Sequence, residues 1–474
     1  MSGLLKSYKE LSLASKILIV IYSLIAIKIN VIDYSLSPDE IKFLAWAENL
    51  PWFQSPSPEY FGQIFWFLLQ VIWEITPSFV YPEIAKLIFA VLLFLAFLST
   101  IFFSKNEKAQ FYSLALALTS PLFYWNGKMI GPEILSVSLV FFGLAFHSVH
   151  KDKLSFFFIG IAVGAKLTVL PVLAYLFLNH LFNNLKFRDF LIYGLLFCLG
   201  FIIANPTDNI SLILRLADSR GDVSHEILPA FLQMWKLIFT FRPDHKMTWD
   251  LILHNSFQDL TFYWFTFALI LFVALISNLK LFWSYLVFLI FHFIWIIKGN
   301  SGLGFPWYWM SLVPVTLHVF SNLNLNLKIF NHRYFSSINI GIIIIICSFF
   351  LSSNAIVFQV HQKQYQKQNI VDFGEDYLCF LDNYKHENLK VMKRIGFAPP
   401  SKVQIPIKVQ IPMYDYGMEP LWEDWKNRTG EDFYLLISSR FFYGETFAQN
   451  ILKNTNKLLG RCGDILIFRV YSDF

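Results

Sequence analysis

Ser37-Pro38-Asp39-Glu40-Ile41-Lys42 sets two adjacent carboxylates and a lysine just past the first long apolar stretch of a 474-residue chain. Only 15% of the residues are charged. A carboxylate placed there can take a proton from an incoming hydroxyl, or hold a divalent cation. The competing reading is a solvated turn in which Pro38 opens a helix and Asp39 and Glu40 favour its positive N-terminus. Four more charged residues stand at the edges or in the middle of apolar segments: Lys86, Lys128, Glu133 and Lys166. Each has a plain alternative. Glu133 follows Gly131-Pro132 and suits the first turn of a helix, while Lys86 and Lys128 can extend their ammonium groups to lipid headgroups. Lys166 is the hardest to set aside, because its segment carries no other charge.

The elements that must position these groups are membrane helices. The chain is 56% hydrophobic and 19% aromatic, with 53 Phe and a mean hydropathy of +0.51. A soluble fold of this length has no interior for that much apolar surface. Gly and Pro interrupt the apolar runs as they do in helices rather than in outer-membrane strands. A net charge of +5, spread through short gaps, acts as an orientation signal and not as a nucleic-acid surface. Lys6, Lys9 and Lys16 precede an apolar run that lacks a small-residue cleavage pattern, so the sequence predicts a retained first span.

Apolar segments fall at 15–32, 83–103, 109–125, 133–149, 154–180, 190–205, 258–277, 281–297, 304–320 and 337–354. Basic residues occupy the gaps at Lys105 and Lys108, Lys151 and Lys153, Lys186 and Arg188, Lys280, and Lys328 and Arg333. With the N-terminus inside, the first gaps obey the positive-inside rule. The 154–180 segment breaks the alternation unless it is two short helices that meet near Lys166, a division suggested by Gly160, Gly164 and Pro171. That division brings the Lys166 amine to the outer surface and gives about 11 crossings. It leaves 33–82, 126–132, the Lys166 turn, 206–257, 298–303 and everything after about 355 outside, with Lys298 a lone exception to the rule. The run from Gly62 to Glu74 suits an amphipathic helix on the membrane surface.

The sequence therefore predicts an α-helical polytopic membrane domain over residues 1–354, with a small extracytoplasmic α/β domain over 355–474. Tyr434–Ile437 and Ile465–Val470 read as buried strands of the latter. Cys379 and Cys462 can bridge if that side is oxidising, or remain two buried thiols. No C-x-x-C or His/Cys cluster is present, so no zinc site is expected. His147 and His292, inside apolar segments, read as core or inter-helix hydrogen-bond partners. On this topology Asp39, Glu40, Lys42, Lys86, Lys128, Glu133 and Lys166 converge at the outer face. Such a set suits a substrate with a lipid tail and an anionic head: the carboxylates act on a hydroxyl, and the lysines or a bound metal stabilise a phosphate leaving group.

The order of these features resembles the GT-C superfamily of polyprenyl-phosphate-dependent glycosyltransferases, which includes protein O-mannosyltransferases and lipid A aminoarabinose transferases. The resemblance covers residues 15–320. It rests on Ser37-Pro38-Asp39-Glu40, on Tyr60 to Trp66, and on Ala85-Lys86-Leu87. It continues through Thr119-Ser120-Pro121, Gly131-Pro132-Glu133, and Gly160 to Lys166 with Pro171, and ends at Phe305 to Trp309 with Pro314. Glu133 stands where the family most often has Asp, and Lys86 where it has Arg. The resemblance implies surface juxtamembrane helices and an inverting transfer of a sugar from a polyprenyl-phosphate donor to a glycan, lipid or protein acceptor. It also implies Asp39 as general base or ligand of a divalent cation (Mg or Mn), beside Glu40, with Glu133 orienting the acceptor or sharing the metal. Lys166, Lys42 and Lys86 would hold the donor phosphate. Lys128, Arg242, His245, Trp46, Trp66 and Tyr308 would contact substrate. The implied place is a bacterial cytoplasmic membrane with the site facing the periplasm or exterior, or the ER membrane in a eukaryote. A transporter or flippase, or a non-catalytic scaffold, are the rival readings; the first usually carries inverted repeats and a midplane site, and no repeat is visible.

Overall fold

The computed structural model describes residues 11–27, 43–44, 47, 52, 62–76, 81–124, 130–182, 187–206, 266–299, 310–323, 326–327, 338–339, 341–348, 379, 383, 390–393, 433–438, 457–462 and 465–470. Contacts divide the chain into two compact units. One comprises Met1–Asp33, Phe53–Phe67 and Lys86–Gln359, the other Tyr34–Trp52, Leu68–Ala85 and Val360–Phe474.

The first unit is helical. Its elements are α1 (Leu13–Ile27), α2 (Gln63–Ile75), α3 (Tyr81–Ser99), α4 (Glu107–Thr119), the short α5 (Pro121–Tyr124), α6 (Pro132–Ser148) and α7 (Asp152–Ala165). There follow α8 (Pro171–Phe182), α9 (Phe187–Ala204), α10 (Thr266–Ser277), α11 (Leu279–Gly299) and α12 (Leu312–Ser321). Parts of α2 and α3 belong to the second unit. Two apolar helices, Glu83–Phe103 and Phe187–Ala204, are long enough to cross a membrane among the described residues; the other apolar helices are shorter. Phe187–Ala204 is apolar all round, yet little of it is buried. A helix of that kind needs an apolar surrounding other than the protein core.

Contacts between helix ends sort the first unit into two ends. At one, Lys280 Nζ donates to the Phe182 carbonyl (3.0 Å), Asn322 Nδ2 to the Phe103 carbonyl (3.2 Å), and His318 Nε2 meets Ser148 Oγ (3.0 Å). His147 and Asp152 join there at 2.7 Å. Asp152 opens α7 and His180 nearly closes α8, and their side chains lie 3.4 Å apart. So α7 and α8 run out and return, which is the short helix pair expected of the 154–180 segment. Lys151, Lys153 and Lys280 all belong to this end.

The break falls at Lys166, but Gly160 and Gly164 do not cause it. They lie within α7 and serve packing instead. A Cβ on Gly160 would strike the Phe197 carbonyl, one on Gly200 the Phe157 carbonyl, and one on Gly164 the Ala204 methyl. Gly160 and Gly164 thus meet Gly200 and Ala204 across α7 and α9, a small-residue seam that lets two backbones approach closely.

The turn between α6 and α7 is a Schellman motif. Lys151 N–H donates to the Phe146 carbonyl (2.8 Å) and His150 N–H to that of His147 (3.0 Å). His150 takes φ 60, the left-handed region where glycine is usual. This reversal folds Asp152 back against His147.

In the second unit a four-stranded sheet has the order β3-β4-β6-β5, with β3 (Lys390–Lys393), β4 (Phe433–Ser438), β5 (Lys457–Cys462) and β6 (Ile465–Val470). β3 and β4 are parallel, while β4, β6 and β5 pair antiparallel with Tyr434 opposite Arg469. Both strands expected from the apolar runs are present. Cys379 and Cys462 are disulfide-bonded, with their Cα atoms 5.7 Å apart. A separate ribbon of β1 (Asn326–Leu327) and β2 (Ile338–Asn339) belongs to the first unit.

Candidate active site

The other end of the helical unit is built on Lys166. The residue caps α7 in an extended conformation and hands the chain to a 3₁₀ turn, Leu167–Val169. Pro171 then opens α8, where its missing N–H costs nothing. Lys166 is only 7% exposed, so the turn does not lay its amine open. Instead Lys166 Nζ sits 2.9 Å from Glu133 Oε1. A lysine at a helix break within an apolar segment is tolerable because a carboxylate neutralises it.

Glu133 reaches that position from the first turn of α6, where Gly131 is the N-cap and Pro132 starts the helix. The helix N-terminus favours its charge. Gly131 lies close against it: a Cβ there would come within 3.2 Å of Glu133 Oε2.

Three other segments converge on the same turn. Gly62 N–H donates to the Ala165 carbonyl (3.0 Å), and a Cβ on Gly62 would collide with the Gly164 carbonyl. Asn205, just past α9, accepts from Gln63 N–H (2.9 Å) and donates from its amide to the Gly164 carbonyl (2.7 Å). Trp295 of α11 donates from Nε1 to the Leu167 carbonyl (2.9 Å). The starts of α2 and α6 and the ends of α7, α9 and α11 therefore meet here.

Beside this turn, an apolar cavity of about 490 Å³ is lined by Phe156, Leu170, Ala174, Tyr193, Phe197 and Trp295, among others. Its lining runs from Leu170 and Trp295 to Phe156 and Tyr193, which pack against His180, and does not include Lys166 or Glu133. A divalent cation on Glu133 would press against the Lys166 ammonium, so this carboxylate is a poor ligand while the pair stands.

Of the other residues named from the sequence, Lys86 is buried within α3 at 2% exposure. Trp66 is buried in α2 with its ring edge-on to Phe65 at 5.0 Å, where it packs against protein. Asp39, Glu40, Lys42, Trp46, Lys128, Arg242, His245 and Tyr308 lie outside the described residues. Asn205 and Trp295 were missed. Asn205 did leave a trace, since an amide followed by Pro206 closes an otherwise apolar segment. His147 and His292 do act as inter-helix partners: His147 meets Asp152 and Asn179, and His292 meets Ser311 Oγ at 3.2 Å.

No family model and no curated protein matches the chain. Two crystal structures do, both of ArnT from Cupriavidus metallidurans. The apo state aligns at a TM-score of 0.56 and 9% identity, over 95% of this chain and 97% of that one. The state bound to undecaprenyl phosphate aligns at 0.53 and 10%, with the same coverage. The chain has the fold of ArnT. That agrees with the fold implied by the ordered motifs between residues 15 and 320. At about one residue in ten identical, the ArnT likeness shows an architecture and leaves individual roles to be argued from this chain's own side chains. At the Lys166 turn the segments are joined through backbone acceptors at Gly164, Ala165 and Leu167, which any sequence can offer.

Proposed function

We propose that this chain is an integral membrane glycosyltransferase that moves a sugar from a polyprenyl-phosphate donor to an acceptor outside the membrane. The observation that carries the reading is the ion pair of the buried Lys166 with the part-buried Glu133, at the end of the helical unit where α2 also begins. An ammonium in a poorly solvated, apolar-lined place suits a phosphate whose lipid lies along the helices. The ArnT fold, known also with undecaprenyl phosphate bound, supports a lipid phosphate as the partner class. The two-ended helical unit supports about 11 crossings, with the basic gaps inside. The Cys379–Cys462 bridge supports an oxidising outer compartment for the C-terminal unit.

In this reading the donor phosphate takes over the Lys166 ammonium, with Lys86 and Lys42 adding positive charge. Glu133, released, orients the acceptor. Asp39 takes the acceptor hydroxyl proton as the oxygen attacks the anomeric carbon. The bond from that carbon to the phosphate oxygen breaks with inversion, and the polyprenyl phosphate leaves with its charge held by the lysines. Donor sugar and acceptor are set by pocket shape, which no motif encodes.

The test is a transfer assay in membranes from cells making the chain, with a radiolabelled polyprenyl-phosphate sugar pool. Asp39→Asn abolishes transfer at unchanged membrane abundance. Full activity in that variant removes the base assignment, and the absence of any transfer by the unaltered chain favours a transporter or scaffold.

A further inference from the structure

At the end of the helical unit opposite Lys166, three ligand-type side chains come together from separate elements. His147 closes α6, Asp152 opens α7 and His180 nearly closes α8. Their ligand atoms all lie within 4.8 Å of one another, the only such group of three among the described residues. His147 is fourteen residues along α6 from Glu133, about 21 Å at the helical rise.

We propose that His147, Asp152 and His180 form a binding site for a divalent transition metal of the zinc class, separate from the Glu133–Lys166 centre. Two imidazole nitrogens and one carboxylate oxygen are the donor set of many three-ligand zinc sites, and they leave one position for water. Ligands about 2.0–2.1 Å from a tetrahedral ion stand about 3.3 Å from one another. Asp152 Oδ1 lies 2.7 Å from His147 Nδ1 and 3.4 Å from His180 Nε2, and all three ligand atoms lie within 4.8 Å of one another, so side-chain shifts of up to about 1.5 Å bring them to that spacing.

The surroundings fit ligands better than a simple ion pair. His180 Nε2 is buried, faces the carboxylate, and makes no well-aligned hydrogen bond. His147 Nε2, the nitrogen turned away from the centre, lies 3.0 Å from the Asn179 amide. That contact is from Asn179 Nδ2, so an ion on Nδ1 requires the amide to turn and its oxygen to accept from Nε2–H.

His318 lies nearby, its ring 5.7 Å from that of His147. Tyr175 and Ser148 occupy both its nitrogens, which excludes it from the ligand set. The three ligand side chains are 13–21% exposed and sit beside Lys151 and Lys153, so an aqueous ion can reach them. A bound ion ties the far end of α8 to the α6–α7 turn, and those three helices carry Glu133 and Lys166 at their other ends.

The experiment uses the full chain, purified in detergent, stripped with chelator, and titrated with Co²⁺. The expected result is one equivalent bound with the visible absorption of tetrahedral cobalt, displaced by Zn²⁺. His180→Asn and the near-isosteric Asp152→Asn lose the band, while Asp39→Asn keeps it. Zn²⁺ raises the thermal midpoint of the unaltered chain and leaves that of His180→Asn unmoved. A titration of the unaltered chain with no such band overturns the proposal whatever the variants do. So does a band that survives in His180→Asn, which assigns the ion to other histidines.

Discussion

Replacing Lys166 by Met keeps most of the unbranched side chain, removes its ammonium, and leaves the Glu133 carboxylate facing an apolar group. At the observed 2.9 Å and an effective dielectric constant near 20, the lost attraction is about 6 kcal/mol. Desolvation of both charges already opposes much of that in the intact protein, so the net loss for one partner is roughly 3–5 kcal/mol. Glu133→Gln leaves the complementary fault, a buried ammonium without its carboxylate, and loses a similar amount. The double variant Glu133→Gln/Lys166→Met buries no charge at this place and is more stable than either single variant. The non-additivity therefore reaches or exceeds roughly 3 kcal/mol, the upper end of the range for residues in contact. Thermal unfolding in one fixed detergent, followed by the fluorescence of the 14 Trp, reads this order directly. Single variants as stable as the parent, or a double variant as poor as the sum of its parts, would refute the buried-pair argument. The reversed pair Glu133→Lys/Lys166→Glu separates structure from chemistry: stability recovers, but transfer does not, because the ammonium no longer stands on the Lys166 turn.

Two further perturbations follow from the packing. Gly200→Ala pushes a methyl into the Phe157 carbonyl and costs about 1–3 kcal/mol. Gly194→Ala on the same helix meets nothing within 4 Å and gains up to about 1 kcal/mol. The pair is compared by the fraction of protein that stays monodisperse after heating. Asn205→Leu leaves the Gln63 N–H and the Gly164 carbonyl without their partner, at roughly 1–3 kcal/mol for each. Hydrogen exchange at the amides of residues 62–66 then speeds up, while exchange in α6 is unchanged.

The helical class, the break at Lys166 and the strands of the C-terminal unit were legible in the sequence. Hydrophobic length, a lone charge in an apolar segment, and a short apolar run between polar flanks are local signals, each decided within a few dozen residues. The return of α8 beside α7 was legible for a less local reason: basic gaps must share a side. Asp39 drew notice by its place after the first apolar stretch and by the resemblance carried by Ser37-Pro38-Asp39-Glu40.

Partnership was not legible. Nothing in the sequence tells Glu133 that Lys166, rather than a metal or a headgroup, will stand 2.9 Å away. Gly160 and Gly164 read as a weak point in a helix, and only the position of Phe197 and Ala204 shows them to be a seam. His147, Asp152 and His180 follow no metal-binding spacing, so the absence of a motif suggested the absence of a zinc site. Their approach depends on a left-handed turn at His150 and on the return of α8. Periodicity and charge bias act along the chain and can be read from it, whereas a pair or a triad depends on which helix end meets which, and that is settled by packing.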